Sequence, residues 1–431
     1  MKTQIKNDIR GDFSPADEKN PLKGEKYFAP TLVGPFVQLL TMDNLPLRGK
    51  LSDDQLEIIP NGGILHANGK ILAVGNFETL KKNNPDAEIY FLESDYVCLP
   101  GMVDVHTHIC WAGSRANDYA MRLAGKTYLE IAQAGGGIWD TVQKTRAASV
   151  EELAEITTQR AEKLYAQGVT TIEVKSGYGL SVEDELKMLE AIKRANEKTR
   201  AELVPTCLAA HIKPKDFTGT EREYLEHIVQ HLLPEIKKRN LAQRVDIFVE
   251  KGAFSVADAR YYLPEARKMG FDAVIHGDQF SSDTAQLASE MQAVSIDHLE
   301  YADENEIRVL AQSNVIPVAL PGASLGLGER FAPARKLLDA GCSLVIASDW
   351  NPGSAPMGNL ITQAAILGAY EKLAMAETWA ALTSRAAAAL QRNDIGVLKA
   401  GNKADFVVFG TNNFKEILYR QGSVKPQMMV V

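Results

Sequence analysis

The stretch Val97-Cys-Leu-Pro-Gly-Met-Val-Asp-Val-His-Thr-His108 decides how the rest of the chain is read. An apolar, β-branched run, Val97–Asp104, leads into His106-Thr-His108, and two residues apart on an extended chain the imidazoles point the same way. Seven more such runs follow: Val169–Lys175, Leu203–Leu208, Arg244–Val249, Ala273–His276, Ala293–His298, Val315–Leu320 and Leu344–Asp349. Amphipathic stretches separate them. Their starts carry Ser or Thr with an acid three residues on, at Ser149/Glu152, Ser181/Asp184, Thr220/Glu223 and Ser255/Asp258. Gly168, Gly270 and Gly341 each stand just before a run, where glycine alone closes a helix in the left-handed region at little cost. Strict alternation of this kind over about 280 residues predicts an α/β fold, a (β/α)8 TIM-type barrel rather than an open doubly wound sheet.

The flanks differ. Residues 28–96 carry short β signals such as Gly69-Lys-Ile-Leu-Ala-Val-Gly75, and Ala404–Phe409 is one more alternating strand. Each flank alone is too short to bury a face, so residues 28–96 and 393–431 are expected to meet in one small β-sandwich domain beside a barrel over 97–392. Residues 1–27 read as a flexible leader. A chain of 431 residues with 45% apolar and 24% charged side chains can bury such a core and is neither disordered nor collagenous. Its 47 basic and 55 acidic residues leave a net charge of −8 with no basic block. Nucleic acid and anionic membrane are therefore poor partners, and a small-molecule substrate is expected. Cys98, Cys110, Cys207 and Cys342 are too scattered for a zinc knuckle or a disulfide framework. With no signal-like or membrane-spanning apolar run, a cytoplasmic protein is expected, and a homodimer is its expected assembly.

The histidines fall in register with the runs. His106 and His108 follow the first, His211 follows the third, His276 and His298 end the fifth and sixth, and Asp349 ends the eighth. In a barrel all of these stand at the C-terminal mouth, where catalytic side chains converge. His106, His108, His276 and Asp349 can hold one cation in a mixed N/O shell that suits a Zn²⁺ or Fe²⁺/Fe³⁺ ion and leaves a position for water. Such an ion lowers the pKa of its water from 15.7 toward ~7. His298 can take the water's proton and Asp349 can both ligate and share one, which together make a hydrolase acting at an sp² carbon.

The constellation resembles the amidohydrolase superfamily. Ala112-Gly-Ser-Arg-Ala-Asn117, Ala134-Gly-Gly-Gly-Ile138, Lys175-Ser-Gly-Tyr-Gly-Leu180, Leu320-Pro-Gly-Ala323 and Asp349-Trp-Asn-Pro-Gly-Ser354 are similar, within it, to the imidazolonepropionase family, which opens a ring in histidine degradation. The resemblance implies that His106, His108, His276 and Asp349 bind one Zn or Fe ion. It further implies that Arg115 and Tyr178 hold the propionate and ring of 4-imidazolone-5-propanoate, that His211 bonds the imidazolone, and that Asn351, Gly353 and Ser354 line the site of the product's glutamate part. Tyr128, seven residues before Gly135, is a candidate for a further substrate contact. Where some members carry a glutamate three residues after the strand-five histidine, this chain has Gln279. An amide cannot shuttle a proton, which weighs against a nucleobase deaminase, while another cyclic amidohydrolase on the same scaffold stays an alternative; the amide can bond the imidazolone while His298 handles protons. Asp278 is a carboxylate expected to face the other way.

Other signals carry less. His227 and His231 share a helix face but are read as solvated, His66 as structural and Cys110 as a packed thiol. Lys175 and Lys251 end strands, yet are read as ordinary lysines rather than a carbamylated bridge between two metals. Gly135-Gly-Gly137 and Gly322–Gly328 lack phosphate-loop spacing. A barrel reduced to a scaffold would have lost metal ligands, and this chain keeps all four.

Overall fold

A computed structural model describes residues 29–431; the leader expected over 1–27 lies outside them. In chain order the strands are β1 (Thr31–Leu40), β2 (Ile58–Ala67), β3 (Lys70–Asn76), β4 (Glu88–Phe91), β5 (Val97–Pro100), β6 (Met102–Asp104), β7 (Val169–Lys175), β8 (Glu202–Ala210), β9 (Arg244–Val249), β10 (Asp272–Gly277), β11 (Ser295–His298), β12 (Ile316–Ala319), β13 (Val345–Ile346), β14 (Phe406–Phe409) and β15 (Pro426–Val430). β6 to β13 form one parallel sheet in sequential order, each strand paired with the next. The four expected helix starts are present: Ser149, Ser181, Thr220 and Ser255 each accept a bond from the backbone N–H of the acid three residues on. Gly168, Gly270 and Gly341 have φ of +98°, +79° and +91°, the left-handed helix ends expected of them.

The sheet closes where β13 returns to β6. Asp349 N–H donates to the His106 carbonyl (3.0 Å), His108 N–H to the Trp350 carbonyl (3.0 Å), and Ser348 N–H to Asp104 Oδ1 (3.0 Å). Alternation sorts the seam residues. Val103, Val105, Val345 and Ala347 pack with Ala386, Ala387 and Leu390 of the helix Ser384–Ala389 and its C-cap, while Asp104 and His106 project to the other side of the strand.

The run Val97–Asp104 is not one barrel strand. It splits at Pro100-Gly101, and β5 belongs to the second sheet, whose order is β15-β14-β5-β1-β2-β3 with β4 beside β1. Proline has no N–H to offer a ladder. Gly101 N–H donates to the Asp405 carbonyl (3.0 Å) and Met102 N–H to the Gly168 carbonyl (2.9 Å), so the chain passes from one sheet into the other within a residue. A Cβ on Gly101 would lie 2.2 Å from Thr170 Oγ1, so only glycine makes this passage. Both chain ends contribute to the second sheet, and Phe36, Leu39, Cys98, Phe406 and Val408 share one of its apolar clusters. No helix among the described residues is long and apolar enough to cross a membrane.

The glycine-rich stretch after β12 has a packing role. The helix Pro321–Leu327 lies hard against the segment that follows β13: a Cβ on Gly322 would stand 2.6 Å from the Ser348 carbonyl oxygen, and one on Gly326 would stand 1.6 Å from that of Ser354. Both obstacles are backbone and cannot rotate away. Gly326→Ala is therefore expected to lower the unfolding free energy by about 1–3 kcal/mol, read as a shifted urea midpoint at constant m-value. An unchanged midpoint would show that the helix can move off the segment freely.

Candidate metal-dependent active site

Five side chains converge at the C-terminal mouth. His106 Nε2 lies 3.3 Å from His108 Nε2 and 3.5 Å from Asp349 Oδ1; His108 Nε2 lies 3.3 Å from the same oxygen and 3.5 Å from His276 Nε2. Donor atoms of His106, His276 and His298 also lie within 4.8 Å of one another. Bonds of ~2.0–2.1 Å to a tetrahedral zinc would set neighbouring donors roughly 3.3–3.4 Å apart, so His106, His108 and Asp349 are spaced to share one ion, with His276 adjoining them through His108. Burial holds His106 well below the ordinary histidine pKa, and His108 and His276 down to about 3, which keeps their imidazoles in the neutral form that ligates.

The backbone that presents these groups is strained. Asp278, His298, Leu299 and Asp349 have φ of +58°, +90°, +69° and +48°, a region side chains other than glycine rarely occupy. Strand-end hydrogen bonds hold them there: Leu299 N–H to the Gly277 carbonyl, Tyr301 N–H to that of Asp278, and Asp349 N–H to that of His106. His298 Nδ1 lies 3.4 Å from Glu300 Oε2. Burial opposes a charge on this ring, but Glu300, Asp349 and Asp297 outweigh it and raise the His298 pKa above the ordinary value, opposite in direction to the other histidines of the cluster.

The remaining predicted residues surround the cluster unevenly. His211 stacks on His108 with ring centroids 5.6 Å apart, donates from Nδ1 to the Gly177 carbonyl (3.0 Å), and adjoins Tyr178, itself 6.0 Å from His108 by centroids. Arg115 Nε donates to Asp118 Oδ2 (2.7 Å), and its Nη1 fills the space a Cβ on Gly353 would need, 2.6 Å from it. Gly353 thus lets the guanidinium lie close against the backbone, and a side chain there would displace it. Its own N–H and that of Ser354 donate to Asn351 Oδ1 at 2.8 Å, while Asn351 Nδ2 donates to the Asp349 carbonyl (2.8 Å). Asn351 therefore shapes the loop from within. Gln279 is buried on the segment after β10. The side chain of Tyr128 lies outside the described residues. Asp278 turns away from the cluster, accepting from Thr284 N–H and Oγ–H.

Sequence reasoning overlooked a charged layer below the mouth. His106 Nδ1 is 2.6 Å from Asp297 Oδ2, and His276 Nδ1 is 2.9 Å from Asp246 Oδ2. Lys175 Nζ lies 2.8 Å from both Glu173 Oε1 and Asp246 Oδ2, and so is an ion-pair centre; Lys251 is exposed. Burial pushes Glu173 up and Asp297 up to about 7. It acts in the same direction on Asp246, but His276 and Lys175 hold that carboxylate well below its usual range. A signal existed: carboxylates at Asp246 and Asp297 interrupt otherwise apolar barrel strands. Cys110 is buried, with Sγ toward the Met188 carbonyl (3.8 Å), and His66 packs edge-on against Phe406. His227 and His231 meet at a tilt on their helix, ring centroids 4.7 Å apart, with His231 exposed.

Comparison with known proteins agrees with this geometry. The model of the amidohydrolase family matches residues 97–430. The chain is 39% identical over 391 residues to an imidazolonepropionase of Alkaliphilus oremlandii, covering 89% of this chain and 92% of that one. It is 40% identical over 389 residues to an imidazolonepropionase of Fusobacterium nucleatum, covering 89% and 93%. Among solved structures, an adenosine deaminase from Xanthomonas campestris with bound zinc superimposes with a TM-score of 0.65 at 18% identity, covering 93% of each chain, and shares the fold. The chain belongs to the amidohydrolase family and, within it, to the imidazolonepropionases.

Proposed function

We propose that the chain hydrolyses 4-imidazolone-5-propanoate to N-formimidoyl-L-glutamate by breaking a cyclic amide C–N bond at this mouth. The observation that carries the reading is the donor spacing of 3.3–3.5 Å that links His106, His108 and Asp349 to one another and His276 to His108, on a chain of this family. These four residues would hold one ion, and three neutral imidazoles with one carboxylate suit zinc or iron alike. When bound, such an ion supplies a water of near-neutral pKa and polarises a carbonyl. His298 stands beside the cluster with Glu300 behind its Nδ1, so its Nε2 is the group placed to take a proton from water and return it to the leaving nitrogen. Arg115 would clamp the propionate, a fork of donors being the usual match to a carboxylate. Tyr178 and His211, packed against His108, would hold the ring, with Gln279, Ser354 and Tyr128 as further contacts. Asn351 and Gly353 would act through the loop they build. Four free, buried cysteines support a reducing cytoplasm, and a homodimer is the assembly we infer.

The reading is tested by incubating purified protein with freshly made imidazolonepropionate and following loss of its ultraviolet absorbance, against ammonia release from guanine or cytosine. Turnover of a nucleobase without ring opening would replace this reading with a deaminase. Chelator is expected to abolish activity, and added Zn²⁺ or Fe²⁺ to restore it; His276→Ala and Asp349→Asn should lose turnover and tight metal binding together. His298→Ala should keep its metal, measured by elemental analysis, and lose about 10²–10⁴-fold in kcat; near-parental turnover would remove His298 from proton transfer. Arg115→Ala should raise KM by roughly 10- to 150-fold, the loss of about 1.5–3 kcal/mol for a charged hydrogen bond, with a smaller change in kcat because a carboxylate clamp serves ground and transition states alike. A fall in kcat at constant KM would contradict that role.

A further inference from the structure

The barrel interior directly below the histidines is ionic. Glu173 and Lys175, two apart on β7, share a face; Asp246 stands on β9 and Asp297 on β11. These are the second, fourth and sixth barrel strands, and alternate strands furnish one layer of a barrel's filling. Lys175 Nζ lies 2.8 Å from Glu173 Oε1, 2.8 Å from Asp246 Oδ2 and 3.9 Å from Asp297 Oδ2, and all four residues are buried. Each carboxylate reaches onward. Asp246 Oδ2 stands 2.9 Å from His276 Nδ1, Asp297 Oδ2 stands 2.6 Å from His106 Nδ1, and Glu173 Oε2 accepts from the backbone N–H of Thr107, between His106 and His108, at 3.3 Å. Lys175 itself donates its backbone N–H to the Thr107 carbonyl (2.9 Å).

We propose that Lys175 is a positioning residue of the metal centre, its ammonium tying together the carboxylates that fix the rings of His106 and His276. An imidazole whose Nδ1–H is held by a carboxylate presents its Nε2 lone pair in one direction, and partners of this kind tune metal affinity. Without the ammonium, three acids crowded in a dry layer repel one another and leave their places, and the rings turn with them. The lysine thus joins two histidines from different strands, and the turn between His106 and His108, into one rigid unit. The inference rests on the reading of His106 and His276 as ligands.

The test is Lys175→Met, which keeps the unbranched stem out to Cε and removes the ammonium. Zinc affinity is measured by chelator competition, and ligand geometry by the visible d–d spectrum of the cobalt-substituted protein. The expected result is zinc binding weakened about 10- to 100-fold with an altered cobalt spectrum. Should that variant fail to fold, the charge-balanced pair Lys175→Met with Glu173→Gln takes its place under the same criteria, since it retains both Asp246 and Asp297. Parental affinity and spectrum in a folded neutral variant would overturn the proposal. His276→Ala in the same titration separates the two readings. If it weakens zinc and Lys175→Met does not, Lys175 is merely structural; if it leaves zinc binding intact, the ligand assignment falls and the proposal with it.

Discussion

The site depends on how the barrel closes. The hydrogen bond from Asp349 N–H to the His106 carbonyl joins the last strand to the first, and it places a carboxylate and an imidazole from opposite ends of the barrel domain side by side. The reciprocal bond from His108 N–H to the Trp350 carbonyl locks the register. Slipping this pairing by one residue would turn His106 and Asp349 out of the lumen, because side chains alternate along a strand. Closing the sheet and assembling the donor set are therefore one event. The close packing of Gly322 and Gly326 onto the segment 348–354 supports it from outside.

Below the donors, charge takes the place of the branched apolar side chains that usually fill a barrel. Buried ions are costly to desolvate, and pairing them with well-placed partners recovers the cost only when the geometry is good. Lys175 meets that condition with Glu173, donating to its Oε1 at 2.8 Å, and pairs by charge with Asp246 Oδ2 at the same distance. What the arrangement gains over an apolar filling is direction, since a carboxylate beneath an imidazole selects which nitrogen faces the mouth.

Much of the barrel was legible in the sequence because its signals are local. Val169–Lys175 and Arg244–Val249 are strands with the expected bounds, and the four Ser and Thr caps lie where a neighbouring acid marks them. The histidines were found for a related reason: strand ends in a parallel barrel share one face, so counting runs already brings His106, His276 and Asp349 together. Pro100-Gly101 was misread because an apolar run carries no mark of changing sheets; the tight space under Thr170 decides that, and it comes from a distant strand. Asp246 and Asp297 were passed over for the same reason. Each looks like an isolated acid until the barrel sets it under a ring. Asn351 was read as a wall of the pocket, and the three bonds that fold its own loop depend on a turn geometry that residue type alone does not disclose.

The passage of β5 into β6 also orders events in time. All the donor residues lie between positions 106 and 349, yet β5, which runs directly into the first of them, is completed by β14 near the end of the chain. On a ribosome adding about 5–20 residues each second, the barrel can close while Cys98, Phe36 and the open edge of β5 still await Phe406–Phe409. The nascent chain thus exposes an unpaired, apolar strand edge for the length of time it takes to translate the helices between Asp349 and Phe406, and loss of the C-terminal tail would make that exposure permanent.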